Sequence, residues 1–230
     1  LLSVLIWGLD RGIDITDEAF YLMGYSSPGE ARFGISMFHQ VIPHFFPFDI
    51  SGVLEARWAR ILSILIPSGL FALAWSRWKN TGLFSYDSME AFLWSAVFSM
   101  GSLMFGPPSI SYNSFSSASI SMLLSLGMLC SKEENNTTRF IAGLLIGILT
   151  ASLFYVKFSN AAAGIVIMIL INLMQWNKEA RLKSLTHSLW MIIAFVMGIS
   201  FWCLIQFHDP ASCIEQTGHY LNKIKNMAGT

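Results

Sequence analysis

The chain has little charge. Of its 230 residues only 12% are Asp, Glu, Lys or Arg, about half of the roughly 25% usual in a soluble domain. The acids and bases cancel to a formal net charge of zero at pH 7, and no block of basic residues stands anywhere. The long-range positive field that gathers nucleic acid is therefore missing, and nucleic acid is excluded as a partner. Cysteine is scarce too. Cys130, Cys203 and Cys213 show no metal-ligand spacing, and the first two fall inside apolar runs, where a thiol behaves as a small hydrophobe. Neither a zinc site nor a disulfide scaffold is indicated.

What the chain has instead is apolar residues, 54% of the total, gathered into stretches at about 1–9, 58–78, 90–106, 114–130, 140–156, 160–176 and 186–207. Most approach the ~20 residues a helix needs to cross hydrocarbon. The reading is an all-α integral membrane protein, a polytopic helix bundle formed by 1–230 as one transmembrane domain with seven candidate spans, whose surroundings are membrane lipids. Pro67 lies inside the second stretch, where a membrane helix tolerates it as a kink. The short first stretch without a leading methionine, and the polar ending 226–230, suggest a piece of a longer protein.

Orientation is read from basic residues. With the start on the cytoplasmic side, Arg77, Lys79, Lys132, Arg139, Lys178, Arg181 and Lys183 fall in the inner loops. Arg11, Arg32, Arg57, Arg60, Lys157, Lys223 and Lys225 then fall outside. The numbers tie, but the inner set is concentrated in short loops, which carry the positive-inside signal. Trp58 at one end of the second stretch, with Trp75 and Trp78 at the other, fits two aromatic belts.

This orientation puts the long loop 10–57 outside. It is rich in Phe and Pro, as in Phe38-His39-Gln40-Val41-Ile42-Pro43-His44-Phe45-Phe46-Pro47-Phe48. It is expected to form short surface helices broken by proline, with aromatics dipped into the headgroups. At its start stands Asp14-Ile15-Thr16-Asp17-Glu18-Ala19-Phe20-Tyr21, the densest acidic cluster in the chain. Paired carboxylates beside a membrane suit proton abstraction or cation binding. A plainer reading is also open: Thr16 or Asp17 caps a short helix, and Glu18 sits in its first turn near the positive end of the dipole.

Two further places hold polar groups among apolar ones. Lys157 interrupts an otherwise uncharged stretch from Phe140 to Trp176. A lysine at the bilayer centre costs about 2.5–3.5 kcal/mol, so two spans should meet at a turn that contains it. There it either snorkels to headgroups or contacts substrate. The turn Gly106-Pro107-Pro108-Ser109-Ile110-Ser111-Tyr112-Asn113-Ser114 offers Tyr112 and Asn113, which either face a ligand or satisfy the turn itself.

Asp17-Glu18-Ala19-Phe20-Tyr21 directly after a first apolar stretch resembles the first outer loop of the GT-C superfamily of polyprenyl-phosphate-sugar-dependent glycosyltransferases. Protein O-mannosyltransferases and lipid A aminoarabinose transferases belong to that superfamily. Ala59-Arg60-Ile61-Leu62-Ser63 resembles its Ala-Arg-Leu segment, and Tyr155-Val156-Lys157-Phe158-Ser159 resembles its Lys-x-Ser/Thr turn, in the same order. Phe38-His39-Gln40 lacks the prolines of the family's His-Pro-Pro segment, so no role passes to His39.

The resemblance implies a hexosyl or pentosyl transferase, mannosyltransferase-like, with its active face on the non-cytoplasmic side of a plasma or bacterial inner membrane. The donor would be a polyprenyl-phosphate sugar and the acceptor a glycan, lipid or protein. Asp17 would be the general base. Arg60 and Lys157 would hold the lipid phosphate, with Tyr112 and Asn113 facing sugar or headgroup. Glu18 would orient Asp17, or help hold a divalent metal in members that use one; no His/Glu arrangement here is strong enough to claim a metal site. Two other classes fit the same hydropathy, a transporter or channel subunit and a non-catalytic membrane assembly protein. A coupled carrier, however, is expected to bury charges within its spans, and these spans are nearly free of them.

Overall fold

The computed structural model describes residues 17–27, 38–103, 109–132, 136–174 and 181–207, with scattered positions beyond. The stretch at 1–9 lies outside these residues. The fold is an all-helical bundle, with no strand among the described residues. α1 is Asp17–Ser26, α2 is the single turn Phe38–Val41, and a 3-10 turn follows at Ile42–Phe45. The long helices are α3 (Val53–Lys79), α4 (Tyr86–Leu103), α5 (Tyr112–Lys132), α6 (Asn136–Val156), α7 (Phe158–Met174) and α8 (Arg181–Phe207). By length and composition, Val53–Lys79 and Tyr112–Cys130 are long and apolar enough to cross a membrane, while Phe140–Val156 and Leu189–Trp202 are apolar but shorter.

Helix boundaries follow local chemistry. Ser111 and Ser114 cap α5 reciprocally: the Ser111 amide donates to Ser114 Oγ at 2.8 Å and the Ser114 amide to Ser111 Oγ at 3.2 Å. This is the logic of the capping box, two otherwise orphaned donors satisfied by two side chains. α3 continues through Pro67 and ends at Asn80, whose left-handed backbone (φ 54°) lets its amide reach the Arg77 carbonyl. α6 stops at Val156 and α7 starts at Phe158, which leaves Lys157 alone in the break.

α3 packs against α4 and α5, α5 against α6 and α7, and α6 against α7 and α8. The α6–α8 contact is the most extensive and is made by small residues. A methyl group on Gly147 would lie 2.7 Å from the Phe195 backbone nitrogen, and one on Gly198 would lie 2.8 Å from Ala151 Cβ. Gly147 and Ala151, one turn apart, thus meet Ala194 and Gly198, a small-xxx-small arrangement that lets two backbones approach. The Trp202 indole then donates to Ser152 Oγ at 2.9 Å, joining the same helices by a buried bond. Other hydroxyls are satisfied within their own helix: those of Ser125, Thr150 and Ser152 donate to carbonyls four residues back, at 2.7–2.8 Å.

The 10–57 loop differs from its expected form in one respect. Its described part is in short helical pieces, but its aromatics do not all lie outward. Tyr21, Tyr25, Phe38, Val41 and Ile42 are buried in one cluster with Ile110, Phe115, Tyr155 and Trp202. The loop folds over the ends of α3, α5, α6 and α8 because those ends expose apolar and aromatic surface that the loop's own aromatics can cover. Phe38 touches Tyr21 at 5.2 Å, Tyr25 at 5.9 Å and Tyr112 at 5.8 Å between ring centroids, the edge-on and tilted arrangements such rings prefer.

Candidate functional site

The cap formed in this way contains the buried ion pair of the chain's described part. Glu18, in the first turn of α1, is fully buried, and Arg57, in the first turns of α3, is 2% exposed. Arg57 Nε donates to Glu18 Oε1 and its terminal nitrogen to Oε2, each at 2.7 Å. Such a two-pronged contact fixes both partners in angle as well as distance. The Ser109 hydroxyl donates a short third bond to Glu18 Oε1. Arg60, one turn further along α3 and 7% exposed, is close enough for the Glu18 charge to act on it.

The 109–111 segment is tied down on both sides. The Ile110 amide donates to the Ala56 carbonyl at 3.0 Å. The Tyr25 hydroxyl donates to the Ile110 carbonyl at 2.8 Å. Burial pushes the Tyr25 phenol well above its usual pKa of 10, and the neighbouring Tyr21 adds to the shift. Segment 109–111 is therefore held by α1 and α3 together, and it delivers Tyr112 and Asn113 to the start of α5.

There Lys157 meets them. Its Nζ donates to Asn113 Oδ1 at 2.8 Å and stands 5.3 Å from the centre of the Tyr112 ring. The ring face is electron-rich and attracts the ammonium. Tyr112 in turn packs on Tyr21 of α1, centroids 5.9 Å apart. A chain of direct contacts thus runs from Lys157 through Tyr112 to Tyr21, one turn along α1 from Glu18.

The residues singled out in the sequence fall as follows. Lys157, Tyr112 and Asn113 are in mutual contact. Glu18 of α1 and Arg60 of α3 are close enough for their charges to interact. α1 begins at Asp17, whose side chain lies outside the described residues, as do Asp14 and Thr16. His39 is 3% exposed, with its ring 5.5 Å from that of Phe38. Two members of the cluster were not singled out from sequence, Arg57 and Ser109. Arg57 had a signal, an arginine one turn before Arg60 at the mouth of an apolar helix. Ser109 had none beyond its place after two prolines.

The geometry fits some roles and not others. Glu18 has both oxygens on Arg57 and one also on Ser109, and among the described residues no three His, Cys, Asp or Glu side chains gather as metal ligands. Glu18 is an anchor that fastens the start of α1 to α3, and so fixes where Asp17 begins the helix. Lys157, half-buried and held from two sides, is a positioned cation at the edge of the same cap. Compared with known proteins, the chain matches no family model, no curated protein and no solved structure.

Proposed function

We propose that the chain is the multi-span part of a membrane glycosyltransferase that moves a sugar from a polyprenyl-phosphate carrier to an acceptor hydroxyl on the non-cytoplasmic face. The membrane reading is supported by the two long apolar helices and by large apolar side chains turned outward elsewhere. Val97 and Phe98 on α4, Val166 and Ile169 on α7, and Ile192 and Val196 on α8 are all about half exposed or more. Faces of this kind on several helices need lipid or a partner to cover them.

The observation that carries the catalytic reading is the approach of the Lys157 ammonium, through Tyr112, to the helix that Asp17 begins. In the proposed reaction the acceptor oxygen attacks the anomeric carbon, and its proton passes to the Asp17 carboxylate. The bond from that carbon to the phosphate oxygen breaks, and the phosphate departs with the electron pair. Deprotonation needs a carboxylate at roughly 3 Å from the hydroxyl, and the departing charge needs fixed cations. Lys157 and Arg60 are those cations, and the Glu18–Arg57 pair holds α1 in place. A fixed cation costs no reorganisation as the charge develops, which is why its anchoring by Asn113 matters.

The rival transport reading has less support. The hydroxyls of Ser125 on α5, Thr150 on α6 and Ser200 on α8 donate to their own helix carbonyls, and that of Ser152 on α6 accepts from the Trp202 indole, so these four are not free to line a polar pathway. The test is reconstitution of the full-length protein in liposomes with a radiolabelled polyprenyl-phosphate sugar. Sugar transfer is the expected result; solute flux without transfer would overturn the proposal in favour of a carrier.

A further inference from the structure

At the other end of α3 a cavity opens, roughly 30 Å along the helix from Arg57 by helical rise and unused by the proposed reaction. It is a cleft of about 390 Å³ lined by Phe71, Trp75 and Lys79 of α3 and by Asp87, Glu90 and Trp94 of α4. Its volume lies in the range of about 300–1,000 Å³ usual for small-ligand sites. The spacing explains the lining. Positions 71, 75 and 79 repeat every four residues, and positions 87, 90 and 94 follow the three-four pattern, so each set occupies one helix face.

Aromatic rings position the charged groups. Phe71 and Trp75 stack at 6.1 Å, and Lys79 Nζ stands 5.4 Å over the Trp75 ring. On the facing helix the Trp94 indole donates to Glu90 Oε1 at 3.3 Å. The α3 wall therefore presents an ammonium and the α4 wall two carboxylates, with aromatic rings on both. Out of the cleft along α4 runs an exposed apolar strip, Trp94 against Phe98 at 5.8 Å with Leu93 and Val97 beside them.

A complementary ligand carries a negative group for Lys79, a positive group with N–H donors for Asp87 and Glu90, and an apolar tail for the strip. We propose that the cleft binds a zwitterionic phospholipid with a primary ammonium headgroup, phosphatidylethanolamine, from the leaflet that faces the end of α3. The phosphate sits on Lys79, the ammonium on Asp87 and Glu90 against the indole faces, and an acyl chain follows Trp94 and Phe98. The headgroup of phosphatidylcholine has no N–H to give the carboxylates, and that of phosphatidylglycerol has no cation. The indoles suit the place, since Trp joins an apolar body to a polar edge at membrane interfaces. The inference rests on the membrane reading and not on sugar transfer.

The test uses the full-length protein in phosphatidylcholine vesicles doped in turn with phosphatidylethanolamine, phosphatidylglycerol or phosphatidylcholine, each bearing a photoactivatable acyl chain. Covalent labelling of the α4 peptide around Trp94–Phe98 is measured. The expected result is an about tenfold preference for phosphatidylethanolamine, the scale of one charge-assisted hydrogen bond. Asp87→Asn with Glu90→Gln, both exposed and nearly isosteric, abolishes that preference, and Lys79→Ala weakens labelling by phosphatidylethanolamine and phosphatidylglycerol alike. Equal labelling by the three lipids, a preference for phosphatidylglycerol, or a preference that survives the double substitution overturns the proposal. Flotation of the same vesicles separates the two readings. A chain that floats but labels without preference defeats the lipid site alone, whereas a chain that does not float defeats the membrane reading and the lipid site together.

Discussion

At its first turns α3 carries Arg57 and Arg60, both under 10% exposed, and at its last turn Arg77 and Lys79, both exposed. The same helix thus ends in the same pair of charges twice, with opposite environments. At the first end the loop helices fold back over the arginines, supply Glu18, and exclude water. At the second a tight turn at Asn80 leads straight into α4, and none of the described residues folds back over it. A buried charge must be paired and hydrogen-bonded, since an uncompensated one is costly, whereas an exposed charge gains little from any partner. The contrast teaches that the Arg57 end is built around its charges, while at the Lys79 end they stay exposed.

The sharpest way to break that comparison is to truncate one arginine at each end. Arg57→Ala leaves the fully buried Glu18 without its two-pronged partner and is expected to cost about 3–5 kcal/mol. Arg77→Ala, exposed, is expected to stay within about 0.5 kcal/mol. Thermal or denaturant unfolding in the same detergent reads both. Equal losses would show that the two ends do not differ in the way described. Double replacement of Glu18 and Arg57 by apolar residues of similar size should recover much of the loss, as pairs removed together often do.

Next in size is Lys157→Ala. It removes a charge-assisted bond worth about 1.5–3 kcal/mol, which as kcat/KM is a loss of about 10–100-fold. Because the cation is proposed to serve both binding of the phosphate and its departure, KM should rise and kcat should fall together. A change in neither would return Lys157 to a lysine that reaches for headgroups. Lys79→Ala, at the opposite end of α3, should leave both constants unchanged.

A smaller effect belongs to Tyr25→Phe, which deprives the Ile110 carbonyl of its donor at an expected cost of about 1–2 kcal/mol. pH sharpens the point. The folded state raises the phenol's pKa above its unfolded value of 10, so its contribution is full below pH 10 and is lost as pH rises from there toward the folded value. The wild-type chain should lose stability above pH 10 more steeply than Tyr25→Phe. Parallel alkaline unfolding curves for the two would contradict the burial of that hydroxyl. Asp49 shows the opposite case on the exposed surface: the Ser51 amide and hydroxyl lower its pKa, and no comparable loss is expected from its titration.

Much of this architecture could be read along the chain, and some of it could not. The apolar stretches lie where α3 to α8 stand, because a helix long enough to be buried along its length must be apolar along its length. Lys157 in the break between α6 and α7 was legible for the same reason: a lone charge in an apolar run has few places to go. The partners of Glu18 were not legible. Arg57 is 39 residues away and Ser109 is 91, and no periodicity encodes a meeting between segments that far apart. The inward turn of Phe38 was misread because aromatic residues next to a membrane suit lipid and protein equally well; only the exposed helix ends decide between them. The contact of Gly147 with the Ala194–Phe195 backbone left a four-residue spacing of small residues in both helices, a signal present in the sequence but too common to single out.

The central claim is that the helix fastened by Glu18 and Arg57 begins with the catalytic base. Asp17→Asn keeps the size of the side chain and removes its ability to accept a proton. The measurement is the rate of sugar transfer by the full-length protein in liposomes, with membrane insertion and donor binding followed on the same preparation. The account predicts normal insertion, nearly unchanged binding, and turnover lowered by about 10²–10⁴-fold, as loss of a general base does. Transfer at the wild-type rate by Asp17→Asn would contradict it.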